Sequence, residues 1–136
     1  MRKFRLFIYF SILTQTIVHS GTINFSNFES AAEVQSNNTP LQGGFVAVGT
    51  LSSEEIGSSE LLSKSFNQFG ESTVFGNDAA FNFVGFFSGV AQGDGGAGEF
   101  INKKIFLVGG DADTIAESES FFAIDTGYFF GPDNPI

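Results

Sequence analysis

The chain contains no cysteine and no tryptophan, and its only histidine, His19, and only methionine, Met1, lie within the first twenty residues. Without cysteine there is no disulfide, no thiolate nucleophile and no thiolate metal ligand. Beyond residue 20 the lack of histidine also removes Ser-His and Cys-His nucleophile systems. Zinc and copper lose their usual nitrogen and sulfur donors for the same reason. Basic residues are equally scarce, six lysines and arginines against fifteen acidic residues. A phosphate backbone or an anionic lipid surface requires a basic patch, so neither nucleic acid nor such a membrane is an expected partner.

Half of that positive charge sits at the amino terminus. Arg2, Lys3 and Arg5 precede a thirteen-residue apolar stretch from Leu6 to Val18, interrupted by Ser11, Thr14, Gln15 and Thr16. Val18-His19-Ser20 ahead of Gly21 is a small-residue cleavage context, and the whole has the layout of a secretory signal. The stretch is short for a membrane span, which needs about 20 apolar residues; an uncleaved anchor is the rival reading. We therefore read 1–20 as a signal peptide and 21–136 as one exported domain, secreted, periplasmic or on the cell surface. That domain keeps Lys64, Lys103 and Lys104 against all fifteen carboxylates, a formal charge of −12.

Phenylalanine and glycine are plentiful. Sixteen of the nineteen phenylalanines lie beyond residue 20, ample material for the core of a domain of this size. A phenylalanine-lined ligand pocket is the rival use, and the core is favoured because no disulfide supports the fold. The clearest pattern runs from Asn102 to Ile124. Lys104 to Val108 is apolar on both faces, Ile105 and Leu107 on one and Phe106 and Val108 on the other, so it reads as a strand covered from both sides. Gly109 and Gly110 are expected to stop it. A second strand is expected over Phe121 to Ile124, ended by Asp125 and Gly127. The acidic stretch between them contains Thr114 and Glu117 at capping-box spacing, which predicts one helical turn.

Elsewhere the alternation of Thr22 to Phe28 predicts a half-exposed strand, with Ile23, Phe25 and Asn27 on one face. Asn37-Asn38-Thr39-Pro40 predicts a turn, and Gly43 to Leu51 a second strand. Its leading Gly-Gly lacks the lysine of a phosphate-binding loop. Between Ser52 and Gly70, Leu62, Phe66 and Phe69 have helical spacing, with Ser59 as cap, Glu60 and Lys64 paired, and Gly70 closing the end. Ser72 to Phe75 is a minor strand. Ala80 to Phe87 predicts a core strand with a bulge at Gly85 that groups Phe81, Phe83 and Phe86. Gln92 to Gly98 predicts a glycine loop, and Tyr128 to Phe130 a last strand or clamp. Six to seven short strands with one short helix predict a mainly β domain, an antiparallel sandwich or flattened barrel.

The order K-I-F-L-V-G, D-T-I-A-E-S, F-F-A-I, Y-F-F-G-P, with Ser65 to Gly70 in the middle, resembles small uncharacterised exported bacterial proteins encoded alongside sorting systems of the PEP-CTERM kind. The resemblance covers about half the chain beyond the signal and implies export without implying an activity. It departs from many such proteins in lacking a Pro-Glu-Pro motif, a hydrophobic tail and a basic stop, so no membrane anchor is expected after signal cleavage. Asn24-Phe25-Ser26 and Asn37-Asn38-Thr39 match a glycosylation pattern that a bacterial protein rarely uses.

Calcium is the metal this composition suits, since it takes carboxylate, carbonyl and water oxygens. The candidate ligands are Asp111, Asp113 and Glu117 on the acidic loop, with Asp94 and Glu99 bracketing the glycine loop as a weaker set. Neither loop has EF-hand spacing, and the competing reading is a solvated loop that aids solubility. A paired-carboxylate hydrolase through Asp111 and Glu117 is chemically open, although aromatic platforms for a sugar are scarce. The expectation is an exported, acidic, non-catalytic binding or structural protein. The alternatives are a calcium-stabilised adhesion or carbohydrate-binding module with a glycan or protein partner, and that small hydrolase.

Overall fold

The computed structural model describes residues 7–15, 18–28, 33–76, 83–96 and 98–131, with side chains from residue 21 onward. Within these residues the order is β1 (Phe7–Gln15), β2 (Val18–Ser26), β3 (Gln35–Ser36), β4 (Thr39–Pro40), β5 (Gly43–Leu51), α1 (Ser59–Ser65), β6 (Phe66–Phe75), β7 (Ser88–Asp94), β8 (Lys104–Gly110) and β9 (Phe121–Phe129). Every pairing is antiparallel. A three-stranded sheet has the order β1-β2-β7, a four-stranded sheet β6-β5-β8-β9, and β3-β4 is a separate hairpin. The expectation of a mainly β antiparallel fold with one short helix holds; the sheets form no closed barrel.

β8 explains the layering. Ile105 and Leu107 belong to a core shared with Ile23 and Phe25 of β2, Val46 and Val48 of β5, and Phe69 and Phe75 of β6. Phe106 and Val108 face the opposite way, into a second core with Leu62 of α1 and Ile115 of the acidic loop. The double-sided apolar pattern of this strand thus corresponds to two cores, one between the sheets and one beneath helix and loop. At one end Phe69, Phe100 and Phe130 form a triangle with ring centroids 4.9 to 5.2 Å apart.

Several glycines lie beneath these rings. A Cβ on Gly89 would stand 2.4 Å from the Phe25 ring, directly across the β2–β7 ladder, and one on Gly109 2.4 Å from the Phe122 ring across β8–β9. Phenylalanine and glycine therefore form complementary pairs, the ring covering strand backbone that the glycine leaves bare.

Several expectations are corrected. The helix is confined to Ser59–Ser65 and capped by Ser58, not Ser59, while Phe66 and Phe69 lie on β6. Gly70 has φ +66° inside β6, so it bends the strand where a helix end was expected. Over residues 83–87 there is a turn, not a strand, with Gly85 at φ +80°. Phe83 is half exposed there and packs on Phe28 and Phe86; Phe81 lies outside the described residues. Gln92 to Asp94 pair with β2, so the glycine loop starts later than expected. Finally, Gly109 and Gly110 continue β8, and Asp125 to Gly127 continue β9 through a register shift to Phe129. The strand expected over Thr22 to Phe28 is present but ends at Ser26, while Gly43 to Leu51 and the Glu60–Lys64 pair (2.8 Å) are found where they were expected.

β1 lies on the stretch read as the signal peptide, and β2 straddles the expected cleavage point. The structure is that of the whole chain, before any cleavage.

Candidate functional site

The acidic segment between β8 and β9 is held by its own hydrogen bonds. The backbone N–H of Asp111 donates to Ser120 O (3.0 Å), closing the segment at its base. The Asp111 carboxylate turns back over this closure and accepts the N–H of Glu119 (2.9 Å) and of Ser120 (3.1 Å). Buried Ser118 donates to Thr114 O (2.9 Å) and accepts from the Ala112 N–H (3.1 Å). The spacing of Thr114 and Glu117 produces the expected contacts, the hydroxyl donating to the Glu117 carboxylate (2.9 Å) and accepting its N–H (3.3 Å). They close a turn instead of a helical one. Ile115 anchors this clasp in the second core, and Ser59 Oγ of α1 donates to Ala116 O (3.4 Å).

The candidate calcium ligands are thereby placed but not gathered. Both oxygens of Asp111 accept backbone N–H groups, Glu117 is engaged by Thr114, and Asp113 is exposed. In the weaker set, Asp94 Oδ1 accepts the Gly96 N–H (3.0 Å) and Glu99 accepts from Asn67 Nδ2 (3.0 Å). Among the described residues no three acidic side chains come together in a way that could hold a metal ion. Asp111 and Glu117 are likewise occupied separately, each holding its own part of the turn.

The base of this clasp opens onto a groove of about 430 Å³ between the β3–β4 hairpin and β9. Val34, Leu41, Phe122 and Ile124 supply its apolar lining, and Ser36 and Ser120 stand on it with their hydroxyls 2.8 Å apart. Among the described residues no charged side chain lines it. In a chain with a formal charge of −9, that absence makes the groove electrostatically distinct from the surface around it.

Local chemistry fixes the hairpin wall. Asn37 and Asn38 both adopt left-handed backbone (φ 50° and 62°), the conformation a two-residue hairpin turn demands and asparagine tolerates. At the base, Leu41 N–H donates to Val34 O (3.0 Å), Val34 N–H to Gly85 O (2.7 Å) and Gly85 N–H to Leu41 O (2.6 Å). Buried Asn27, at the end of β2, donates from Nδ2 to the same Gly85 O (3.0 Å) and accepts the Phe87 N–H (2.8 Å). One buried amide thus couples β2, the Gly85 turn and the groove wall.

The far end of β9 is held by charge. Lys104 Nζ reaches Glu54 (3.0 Å) and Asp125 (3.3 Å), and these carboxylates hold its ammonium above the usual lysine range. The Gly127 N–H, and then Lys104, hold the Asp125 carboxyl below its ordinary value.

Sequence reasoning located the Asn37-Asn38 turn but not the groove, whose walls come from residues 34–41 and 120–124. The usable signal was the lone apolar Leu41 beyond the turn, facing the apolar start of β9. No family model, curated protein or solved structure matches this chain.

Proposed function

We propose that the chain is an exported, non-catalytic binding protein of the cell envelope or extracellular space, holding an uncharged, mostly apolar ligand in the groove beside β9. The carrying observation is the lining: apolar side chains with a serine hydroxyl pair and, among the described residues, no ionisable group. Its volume falls within the range of small-ligand sites, about 300–1,000 Å³. The hydroxyls offer one donor–acceptor contact to fix orientation, and burial of apolar surface supplies the affinity. The signal-like amino terminus supports export, and the resemblance to small exported proteins points the same way. Calcium-module and hydrolase readings draw less support, because Asp111 and Glu117 are individually engaged in the clasp and no three acidic side chains of the described residues gather.

Titration with Nile red, an uncharged apolar dye, tests the assignment. Saturable binding should be lost in Ser36→Trp, whose indole fills the groove, and kept in Glu60→Gln on the exposed face of α1. Equal binding by Ser36→Trp would overturn it. The same samples melted with calcium and with chelator should give the same Tm; a large upward shift with calcium would return the acidic loop to the centre of function.

A further inference from the structure

β2 is the middle strand of its sheet only because β1 lies beside it. The β1–β2 ladder runs from Phe7↔Ser26 to Gln15↔Val18, and β7 covers the other flank from Ser26↔Ser88 to Ser20↔Asp94. Neither ladder contains a register shift. Cleavage before Gly21, part of the export reading on which this inference rests, would remove β1 entirely and leave Gly21 to Ser26 with one bare flank. Among the described residues no other strand pairs with that flank. Residues 21–28 include no charge and no proline, the two commonest devices against edge pairing.

We infer that the bare flank of β2 is a dimerisation edge, pairing antiparallel with the same strand of a second copy about a two-fold axis at Asn24. Three observations favour a second copy over a foreign strand. β1 shows that the flank accepts an antiparallel apolar strand in unbroken register. The segment is self-complementary: with Asn24 opposite Asn24, Ile23 meets Phe25 and Thr22 meets Ser26. The buried residues Ile23 and Phe25 therefore continue one apolar face across the axis, and the polar residues share the other, as an isologous contact requires. Charge points the same way. A strongly acidic exported domain repels its copies, and this uncharged stretch is a place where two can meet without opposing carboxylates, more readily as salt screens the remainder.

The test expresses the full chain in an exporting bacterial host, determines the product's first residue by mass spectrometry, and measures its solution mass by light scattering. The expected product begins at Gly21 and is a dimer. Asn24→Lys, which sets two ammonium groups side by side at the axis, should halve the measured mass while preserving the circular dichroism spectrum; Asn24→Ser should stay dimeric. Thr22→Lys serves the same purpose if Asn24→Lys does not fold. A cleaved product that is monomeric, or one that captures only a foreign strand, overturns self-pairing and leaves the export reading intact. A dimer indifferent to the lysine also overturns it. A product still beginning at Met1 overturns the export reading and this inference together.

Discussion

β9 is interrupted by a register shift against β8, by Gly127 at φ +77° and by Asp125 pinned to Lys104, and just before its start the β3–β4 hairpin stands close enough to join Ser36 to Ser120. Along the flank of β2 that β1 covers, the ladder has no register shift, residues 21–28 carry no charge, and among the described residues β1 is the strand paired there. Bulges, charges and coverings are the means by which sheet proteins keep edges from pairing. β9 therefore has the features of a sheet edge, whereas β2 has those of an interior strand and, under the proposed cleavage that removes β1, would keep only β7 as a neighbour. The groove lies along the guarded edge and the proposed pairing along the unguarded one, so ligand and second copy do not compete for the same strand.

The largest effect should come from emptying the core side of β2. Phe25 is 1% exposed and its ring covers Gly89, so Phe25→Ala should cost about 3–5 kcal/mol in urea unfolding, a large part of the whole stability of a domain this size. A cost under about 1 kcal/mol would mean that β2 is not held as an interior strand.

Next is the amide that joins the two regions. Asn27→Ala leaves the Phe87 N–H without its acceptor and removes one donor from Gly85 O. The expected cost is about 1–3 kcal/mol, accompanied by weaker Nile red binding because the hairpin wall is fixed through Gly85. Binding that is unchanged at full occupancy would separate the groove from β2.

How much of this could be read from the sequence depends on whether local pattern and tertiary packing agree. β5 and β8 were legible because their apolar runs are longer than any competing helical period, and the two apolar faces of β8 marked it as covered on both sides. Phe66 and Phe69 were misread because their three-residue spacing suits a helix; the strand won because pairing with β5 places Phe69 in the main core. At Gly70, Gly109 and Gly127 the sequence suggests a stop that the fold does not make. In the fold glycine permits a bend at positive φ or accepts a phenylalanine ring, and both keep a strand running. The acidic loop was legible as a loop, since Asp111, Asp113, Glu117 and Glu119 cannot line a core strand. Its hydrogen bonding was not legible, because whether Asp111 faces solvent or the N–H groups of Glu119 and Ser120 depends on chain closure eight and nine residues away. The groove was invisible because its walls meet only in three dimensions.

A smaller effect tests the charge that guards β9. Asp125, held below its ordinary value by the Gly127 N–H and by Lys104, stabilises the fold fully above the unfolded carboxyl value near 4, a contribution lost as pH falls through the lowered folded value. Lys104, held high by Glu54 and Asp125, stabilises fully below the unfolded lysine value near 10.4, a contribution lost as pH rises through the raised folded value. Asp125→Asn should therefore lower Tm by no more than a few degrees near neutrality, and the difference from wild type should shrink in acid. A difference that grew on acidification would contradict the assignment.

The smallest expected effect is none at all. Tyr128 and Phe129 are half exposed at the end of β9, the one feature of that edge that could invite association. Phe129→Ser should leave the solution mass unchanged; a fall to half would move the interface from β2 to β9.

Amide hydrogen exchange on the exported, cleaved chain, followed over a range of protein concentrations, tests the contrast between the two edges most directly. The account predicts that alternate amides of Gly21 to Ser26 become protected as concentration rises, while the outer amides of β9 exchange fast at every concentration. Exchange in β2 that stays fast and independent of concentration would contradict it.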